Sequence, residues 1–466
     1  MNKIKLIAGV LPALALGACS LAPKYVAPAP PVPTSWPVGD AYLAQSEASL
    51  PLVSYKEVFR DPRLQSLVEQ ALANNRDLRV AAANIAAARA QVRVTRANQF
   101  PAVGVSGSAT DSETGGGFGQ NGMNYSLQGG ISSFEIDLFG KLANATRSQR
   151  DTALATEAAA RTVRLGLVAD LALAWATYAA DRDLLAIAQS TATNAADSVR
   201  LSQARLKGGV AARTELRQAE QVLETAKGDF AAQTAALAQD INAIRLLVGA
   251  DFDPALLPAG IDEVNAGLAE LPAGTSTQVL LRRPDVVQAE YQLRAANADI
   301  GVARAQLFPT ISLSALIGFA STSLSSLFDG ASRTTTLGGD ASWSVFNAGG
   351  RAANVAVTKA QRDAALATYE KAIQTAFSET ADALADQGTL TERLRAAAGF
   401  TTAAQDTAQL TEATYRRGIV GSLDNLDAQR SLYSARQAEI AARLLLATNR
   451  VTLYRVLGGD QATAAN

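Results

Sequence analysis

The chain has no histidine and a single cysteine in 466 residues. A histidine general base, a Cys/His nucleophile pair, a zinc site and an internal disulfide are therefore excluded or nearly so. Catalysis by paired carboxylates survives on composition, yet no such pair stands beside a recognisable substrate loop. No Gly-Lys-Ser/Thr phosphate loop occurs either. The expectation is a protein that is not an enzyme, with no cofactor and no metal. A net charge of −1 gives no general attraction for nucleic acid. Proline is missing where it would matter most: none occurs from Lys141 to Lys207, where Gly166 is the single glycine, and none from Arg351 to Arg417. Both stretches read as uninterrupted helix. At about 1.5 Å per residue, each would reach roughly 100 Å.

What is present is a duplication. Arg96-Ala97-Asn98-Gln99-Phe100-Pro101 returns as Arg304-Ala305-Gln306-Leu307-Phe308-Pro309, and Asp77, Leu78, Ile85 and Val92 return as Asp285, Val286, Leu293 and Ile300, all 208 positions later. Downstream, Arg205-Leu206-Lys207-Gly208-Gly209-Val210 is echoed by Tyr415-Arg416-Arg417-Gly418-Ile419-Val420, and Leu247-Val248-Gly249 by Val456-Leu457-Gly458. A nearly constant period, 208 upstream and 209 or 210 downstream, implies one doubled architecture. Each long helix is followed by a glycine-containing turn and a returning helix, near Arg213 to Leu247 and Leu423 to Leu457. Leu64, Ala71, Leu78, Ile85 and Val92 form a seven-residue stripe, as do Val286, Leu293, Ile300 and Leu307, a pattern that drives helices together.

The amino terminus carries Lys3 and Lys5 ahead of an apolar run, Leu6 to Leu16, too short for a stable membrane span. It reads as an export signal. Leu16-Gly17-Ala18-Cys19 resembles a lipobox, which makes Cys19 the lipidation site and leaves palmitate-type acyl chains as the anchor. Each buried methylene contributes about 0.8 kcal/mol to such anchoring. Ser20 in place of an aspartate favours the outer membrane. The proline-rich stretch from Ala22 to Pro37 reads as an extended tether without a packed core.

Between the helices, alternation takes over. Pro101 and Pro309 end the preceding helices. Val103 and Val105 alternate with small polar residues, and Tyr125, Leu127, Gly129 and Ile131 begin a returning strand. Phe134, Ile136 and Leu138 continue it after a phase change that suggests a bulge. In the second copy Ile311, Leu313, Ala315, Ile317 and Phe319 are answered by Leu337, Gly339, Ala341, Trp343 and Val345. Strands of about ten residues with one apolar and one small polar face suit a bilayer-spanning barrel. Phe139, Trp343 and Phe346 suit its interfacial girdle. Four strands cannot close a barrel, and lipid tolerates no open edge. Three copies would supply about twelve strands, an allowed number.

The lipobox, the doubled hairpin, Leu280 to Pro309 (LLRRPDVVQAEYQLRAANADIGVARAQLFP) and Val345-Phe346-Asn347-Ala348-Gly349-Gly350 together resemble the outer-membrane factor family. Its lipoprotein branch, typified by OprM and NodT, is most similar, with TolC more distant. The resemblance implies a mainly α channel-tunnel with membrane β: a homotrimer in which a 12-stranded β-barrel in outer-membrane lipid continues into a long α-helical barrel. It also implies an equatorial belt from Leu52 to Asp61, Pro254 to Gln278 and the chain ends. The expected divisions are a signal peptide at 1–18, a lipidated tether and equatorial segment at 19–61, and a first repeat at 62–249 with its hairpin at 101–138. An inter-repeat segment at 250–282, a second repeat at 283–458 with its hairpin at 309–347, and a tail at 459–466 complete the chain.

Function, on this resemblance, is that of a passive exit duct in a tripartite efflux pump. The partners would be a periplasmic adaptor and an inner-membrane transporter, of the RND type. The sequence from Tyr415 to Arg430 is similar to the family's periplasmic aperture. Asp424 and Asp427, three apart, share a helix face. In a trimer they would stack as carboxylate rings that favour cations, although acids early in a helix also simply complement its dipole. Arg430 would tie helices through ion pairs. Tyr415 and Glu215 fall where the family places polar links between coils, but Val420 stands where some members carry a linking arginine. Docking would centre on Leu206, Lys207, Gly208, Gly209 and Val210 in one tip and Arg417, Gly418, Ile419 and Val420 in the other. The rival reading is a lipid-anchored coiled-coil spacer with its hairpins packed in the periplasm and no pore. A hydrolase is a remote third.

Overall fold

A computed structural model describes residues 20–39, 41–42, 54–112, 122–271 and 277–459. Cys19, the signal segment and the tail from 460 lie outside the described residues. Two compact units emerge. The first gathers the described residues through Ala29 with Ala83–Ala158 and Gln288–Lys371; the second gathers Pro30–Ala82, Ala159–Val287 and the described residues from Ala372.

The first unit contains the sheet. Strands β1 (Val103–Ser112), β2 (Gly122–Glu135), β3 (Thr310–Ser321) and β4 (Arg333–Ser342) pair antiparallel in chain order. The two repeats thus join through β2 and β3. Register sorts the side chains: Val105 opposes Gly129, Gly129 opposes Ile317, and Ala315 opposes both Ile131 and Leu337, so one face is apolar across all four strands. The other carries Ser106, Ser108, Gln128, Ser314, Thr336 and Asp340. The register shifts between Ile131 and Phe134, a bulge at the phase change in the sequence. Two glycines let β2 and β3 approach there. A Cβ on Gly130, whose φ is +143°, would lie 2.2 Å from the Ala315 carbonyl oxygen, and one on Gly318 would lie 2.1 Å from that of Leu127.

Strand ends fall short of the alternation. β2 stops at Glu135 because Asp137 accepts a hydrogen bond from the Ala143 amide at 2.8 Å, and Gly140 turns the chain with φ +71° into helix α4 (Lys141–Lys207). Trp343 and Val345 likewise lie beyond β4. Ala348 and Gly349, with φ +51° and +82°, start the next helix, α8 (Gly350–Arg416). The expected girdle residues do cluster at these ends in part. Phe139 stacks on Phe308 with centroids 4.4 Å apart, and the Trp343 indole donates to the Leu307 carbonyl at 3.1 Å. Phe346 is exposed.

The remaining elements, divided between the two units, are helices. Helices α1 (Tyr55–Val58) and α2 (Pro62–Asn74) precede α3 (Arg76–Ala97), and α4 is followed by the returning α5 (Arg213–Val248). Short α6 (Ile261–Gly267) leads to α7 (Pro284–Ala305), and α9 (Ser422–Val456) returns from α8. The seven-residue stripe through Leu64 and Ala71 does not continue as one helix. Asn75 breaks it by accepting from the amides of Asp77 and Leu78, 2.8 and 3.2 Å away, which caps α3. Leu64 and Ala71 are buried, whereas Leu78, Ile85 and Val92 are half-buried. The second stripe holds through Ile300 and fails at Leu307, past the end of α7.

The belt segments meet as backbone. Phe59 bridges Leu268, Arg60 donates to the Gly267 carbonyl at 2.8 Å and Ala269 to that of Val58 at 2.8 Å. Phe59 also meets Tyr454 edge-on at 5.1 Å. The apolar middle of α4, by composition capable of crossing a bilayer, is used here as core: Trp175 is buried, donates to the Leu256 carbonyl at 3.0 Å and lies under the Arg63 guanidinium.

The repeat is visible in bonds between unlike residues. Asn75 donates to the carbonyl of Leu247 at 2.9 Å, and Arg283, 208 positions on, donates to that of Val456 at 3.2 Å. Both tie the start of a repeat to the end of its returning helix. Arg283 does more, clasping Asp285 at 2.7 Å and Glu379 at 2.8 Å while only 9% exposed.

One expectation holds only in part. The proline-rich amino-terminal stretch is extended but not loose, because residues 20–29 lie along α7 under hydrogen bonds. Proline limits the entropy lost when such a strap is fixed.

Candidate functional site

Both tips end in the same turn. At the first, Val210 donates to the Arg205 carbonyl and Gly209 to that of Leu206, each at 3.0 Å, with Gly209 at φ +74°. At the second, Ile419 donates to Thr414 at 3.0 Å and Gly418 to Tyr415 at 2.9 Å, with Gly418 at φ +76°. This is the Schellman termination, which needs a residue that tolerates left-handed backbone. The apolar residue that follows usually folds back onto its helix. Here Val210 and Ile419 are 68% and 70% exposed, leaving each tip with an apolar knob in solvent. Lys207, Gly208, Arg417 and Gly418 are exposed beside them, and Leu206 and Val420 are half-buried.

The predicted aperture residues divide into three groups. Asp424 is exposed in the first turn of α9, where no side chain caps the helix, and its carboxylate complements the helix dipole. Asp427 is also exposed but not free: Arg430 reaches it at 2.6 Å within the same helix, with 68% and 62% of the two side chains exposed. Among the described residues of one chain, the ion pair of Arg430 lies within its own helix. Tyr415 is buried, and the Arg205 guanidinium lies over its ring at 4.8 Å, which joins the ends of α4 and α8. Glu215 is half-buried in the first turn of α5, and its Oε2 has no partner among the described residues. No hydrogen bond brings Tyr415 and Glu215 together.

The sequence model of the family described as "Outer membrane efflux protein" matches residues 67–250 and again 275–459. The chain belongs to that family. The efflux protein is 40% identical over 464 residues to the antibiotic efflux pump outer membrane protein ArpC of Pseudomonas putida, covering 97% of this chain and 96% of that one. It is 36% identical over 449 residues to the cation efflux system protein CusC of Escherichia coli K12, covering 96% and 97%. Among solved structures it is similar to the open-state MtrE outer membrane channel of Neisseria gonorrhoeae. That TM-score is 0.83 at 30% identity, over 95% of this chain and 98% of that one. The two matched stretches start about 208 residues apart, the period of the internal repeat. The protein is an outer-membrane efflux duct of the channel-tunnel fold.

Sequence reasoning missed a polar link in the efflux protein. Above the tips, Tyr433 on α9 donates to the Asp229 carboxylate on α5 at 3.0 Å. Burial and that carboxylate push the phenol up to about 12. The pair borders a cavity of about 280 Å³, lined also by Asn194, Ser198, Gln221 and Arg430. Tyr433 stands one turn past Arg430, so the face bearing Asp427 and Arg430 held the available signal. A second missed feature is Asp240, whose carboxyl is raised to about 6 by burial and by neighbouring Asp181.

Proposed function

We propose that three copies of this chain close one twelve-stranded barrel in the outer membrane, forming the passive exit duct of a tripartite efflux pump. One observation carries this reading: the four-stranded sheet is apolar on one face and small and polar on the other, and β1 and β4 pair with no further strand among the described residues. Unpaired edges in hydrocarbon cost several kcal/mol per group. A ring of three sheets removes every edge, faces Leu313, Ile317 and Leu337 to lipid, and lines the lumen with Ser, Thr, Gln and Asp340. The chain would act without catalysis of its own, drawing energy from an RND-type inner-membrane transporter through a periplasmic adaptor. Val210 and Ile419 offer the adaptor its apolar holds. Acyl chains on Cys19 would add a second attachment to the membrane. The two repeats, 62–249 and 283–458, would alternate around the ring.

Asp424 and Asp427 are the aperture acids in this reading. Asp427, paired with Arg430 in its own helix, contributes the weaker field, so Asp424 dominates cation preference. The names of the relatives mention antibiotics, toluene and cations at similar identity. Cargo choice therefore resides upstream of the duct. Reconstitution in a planar bilayer tests the reading. The purified protein should have the mass of three chains and conduct, Asp424→Ala should reduce cation preference more than Asp427→Ala, and the double variant should do so most. Absence of both a trimer and conductance would sink the duct. Unchanged currents in the double variant would sink the gate alone.

A further inference from the structure

The amino-terminal strap occupies a groove that the sequence prepares for it. On α7, Glu290, Arg294, Asn297, Gly301 and Arg304 recur at alternating spacings of four and three, the pattern of a stripe that meets a partner helix. The partner here is the strap. Arg304 donates to the Leu21 carbonyl at 3.0 Å and Asn297 to that of Pro23 at 2.8 Å. Tyr25 donates to Glu290 at 3.3 Å, and the Arg294 guanidinium covers the Tyr25 ring at 5.0 Å. Gly301 is obligatory for this packing, since a Cβ on it would lie 2.8 Å from the Ala22 Cβ and 2.6 Å from Asn144 Nδ2. The first repeat offers no such groove: the positions 208 earlier include Arg89, Arg93 and Arg96, with Arg93 in place of Gly301.

At one end of the groove sits Asn144, fully buried in the first turn of α4, shortly after β2 ends. Ser20 donates to Asn144 Oδ1 at 2.9 Å. The other half of the same amide, Nδ2, lies against Gly301 and has no hydrogen-bond partner among the described residues. A buried amide donor left unmatched is costly, and native interiors rarely keep one without a reason. The group covalently next to Ser20 is Cys19, where an acylated amino terminus would bring amide and ester carbonyls, acceptors for such a donor.

We propose that Asn144, Gly301 and Ser20 form a receptor for the acylated amino terminus, in which Asn144 Nδ2 donates to an acyl carbonyl on Cys19. The inference rests on the reading of Cys19 as lipidated. Its consequence is mechanical: the lipid is held at a fixed height beside the sheet, and the strap below it, already seated on α7, is held more tightly once acylation is complete.

Limited trypsin digestion of the full-length, membrane-extracted protein tests this, because Lys24 is exposed within the strap and its cleavage reports release. Mass spectrometry of the terminal peptide first establishes acylation. In the acylated protein, Asn144→Asp keeps the acceptor for Ser20 and removes the donor, and cleavage at Lys24 should rise about tenfold, the scale of one buried hydrogen bond. In a Cys19→Ala background exported through an ordinary signal peptide, cleavage should already be fast, and Asn144→Asp should add less than about twofold. Gly301→Ala, whose Cβ would lie 2.6 Å from Asn144 Nδ2 and 2.8 Å from the Ala22 Cβ, should raise cleavage in the acylated protein to the level of the Cys19→Ala background. Equal effects of Asn144→Asp in the two backgrounds, or none in the acylated one, would overturn the receptor and leave Asn144 a packing residue. A terminal peptide without acyl mass would instead overturn the lipidation reading itself, and the receptor with it.

Discussion

Replacing Arg283 by leucine should open the junction between the second repeat and its returning helix without unfolding the protein. The guanidinium is 9% exposed and makes two hydrogen bonds to Asp285, at 3.1 and 2.7 Å, one to Glu379 at 2.8 Å and one to the Val456 carbonyl at 3.2 Å. Breaking a fully buried pair costs about 3–5 kcal/mol, chiefly through the charge left behind. Here the stranded carboxylates are 39% and 46% exposed and can rehydrate, which discounts that figure heavily. The Val456 carbonyl adds about 1 kcal/mol. The net loss is about 2–3 kcal/mol, equivalent to roughly 30- to 150-fold faster hydrogen exchange in a locally opening segment. Exchange measured by mass spectrometry should rise by that factor for amides at 283–287 and 453–457 and stay unchanged at 205–215. Arg283→Lys should recover part of the loss, since an ammonium cannot span three acceptors as a planar fork does. Exchange within a factor of about two of the native protein at both segments would refute the assignment of Arg283 as the clasp.

Asp240 predicts a pH dependence of stability. Its folded-state carboxyl is raised to about 6 by burial first and by Asp181 second, against an ordinary value of 3.8. The folded state then binds more protons than the unfolded one between those values, so stability falls as pH rises from about 4 to 6 and is flat above. Because the group is partly solvated, the effect is about 1–2 kcal/mol after screening. Thermal melts of Asp240→Asn should lose that slope and run higher at pH 7.5, and a slope unchanged from the native protein would rule the pair out as its source. Tyr433→Phe keeps the ring in place and removes only the bond to Asp229, so exchange at 226–232 should quicken by about five- to tenfold; no change there would mean the bond contributes nothing to holding α5 against α9.

Much of this fold is legible because it depends on local rules. The long proline-free stretches specify α4 and α8 nearly to the residue, and the phase change after Ile131 marks the bulge between β2 and β3. Failures occur where one polar side chain overrides a periodic pattern. Asn75 cuts a stripe that periodicity carries onward, and Asp137 ends β2 ahead of Ile136 and Leu138. The aperture was legible only in part. Residue type and spacing place Asp424 and Asp427 on one face, but the intrahelical partner of Arg430 is a matter of rotamer and reach, and the link from Tyr433 to Asp229 joins positions about 200 apart with no shared pattern. Strap docking was hidden for another reason. The proline-rich composition reports stiffness, whereas the groove that receives it is written on α7, almost 300 residues away.

The two repeats share a plan, but their differences decide which tasks each performs. Where Asn75 closes the first junction with one neutral bond, Arg283 closes the second with a buried charge and two carboxylates. Where Arg89 of the first copy is engaged by Glu157 at 2.8 Å, its counterpart Asn297 binds the strap. Substituting Gly301 by the arginine found in the first copy would fill the groove and should free Lys24 to trypsin. The reciprocal change, Arg93→Gly, should attract no strap, because Arg89, which stands at the Asn297 position, is already engaged by Glu157. A ring of three chains then contains six similar sectors of which alternate ones alone can hold an amino terminus, and that alternation follows from side chains while the backbone plan stays the same.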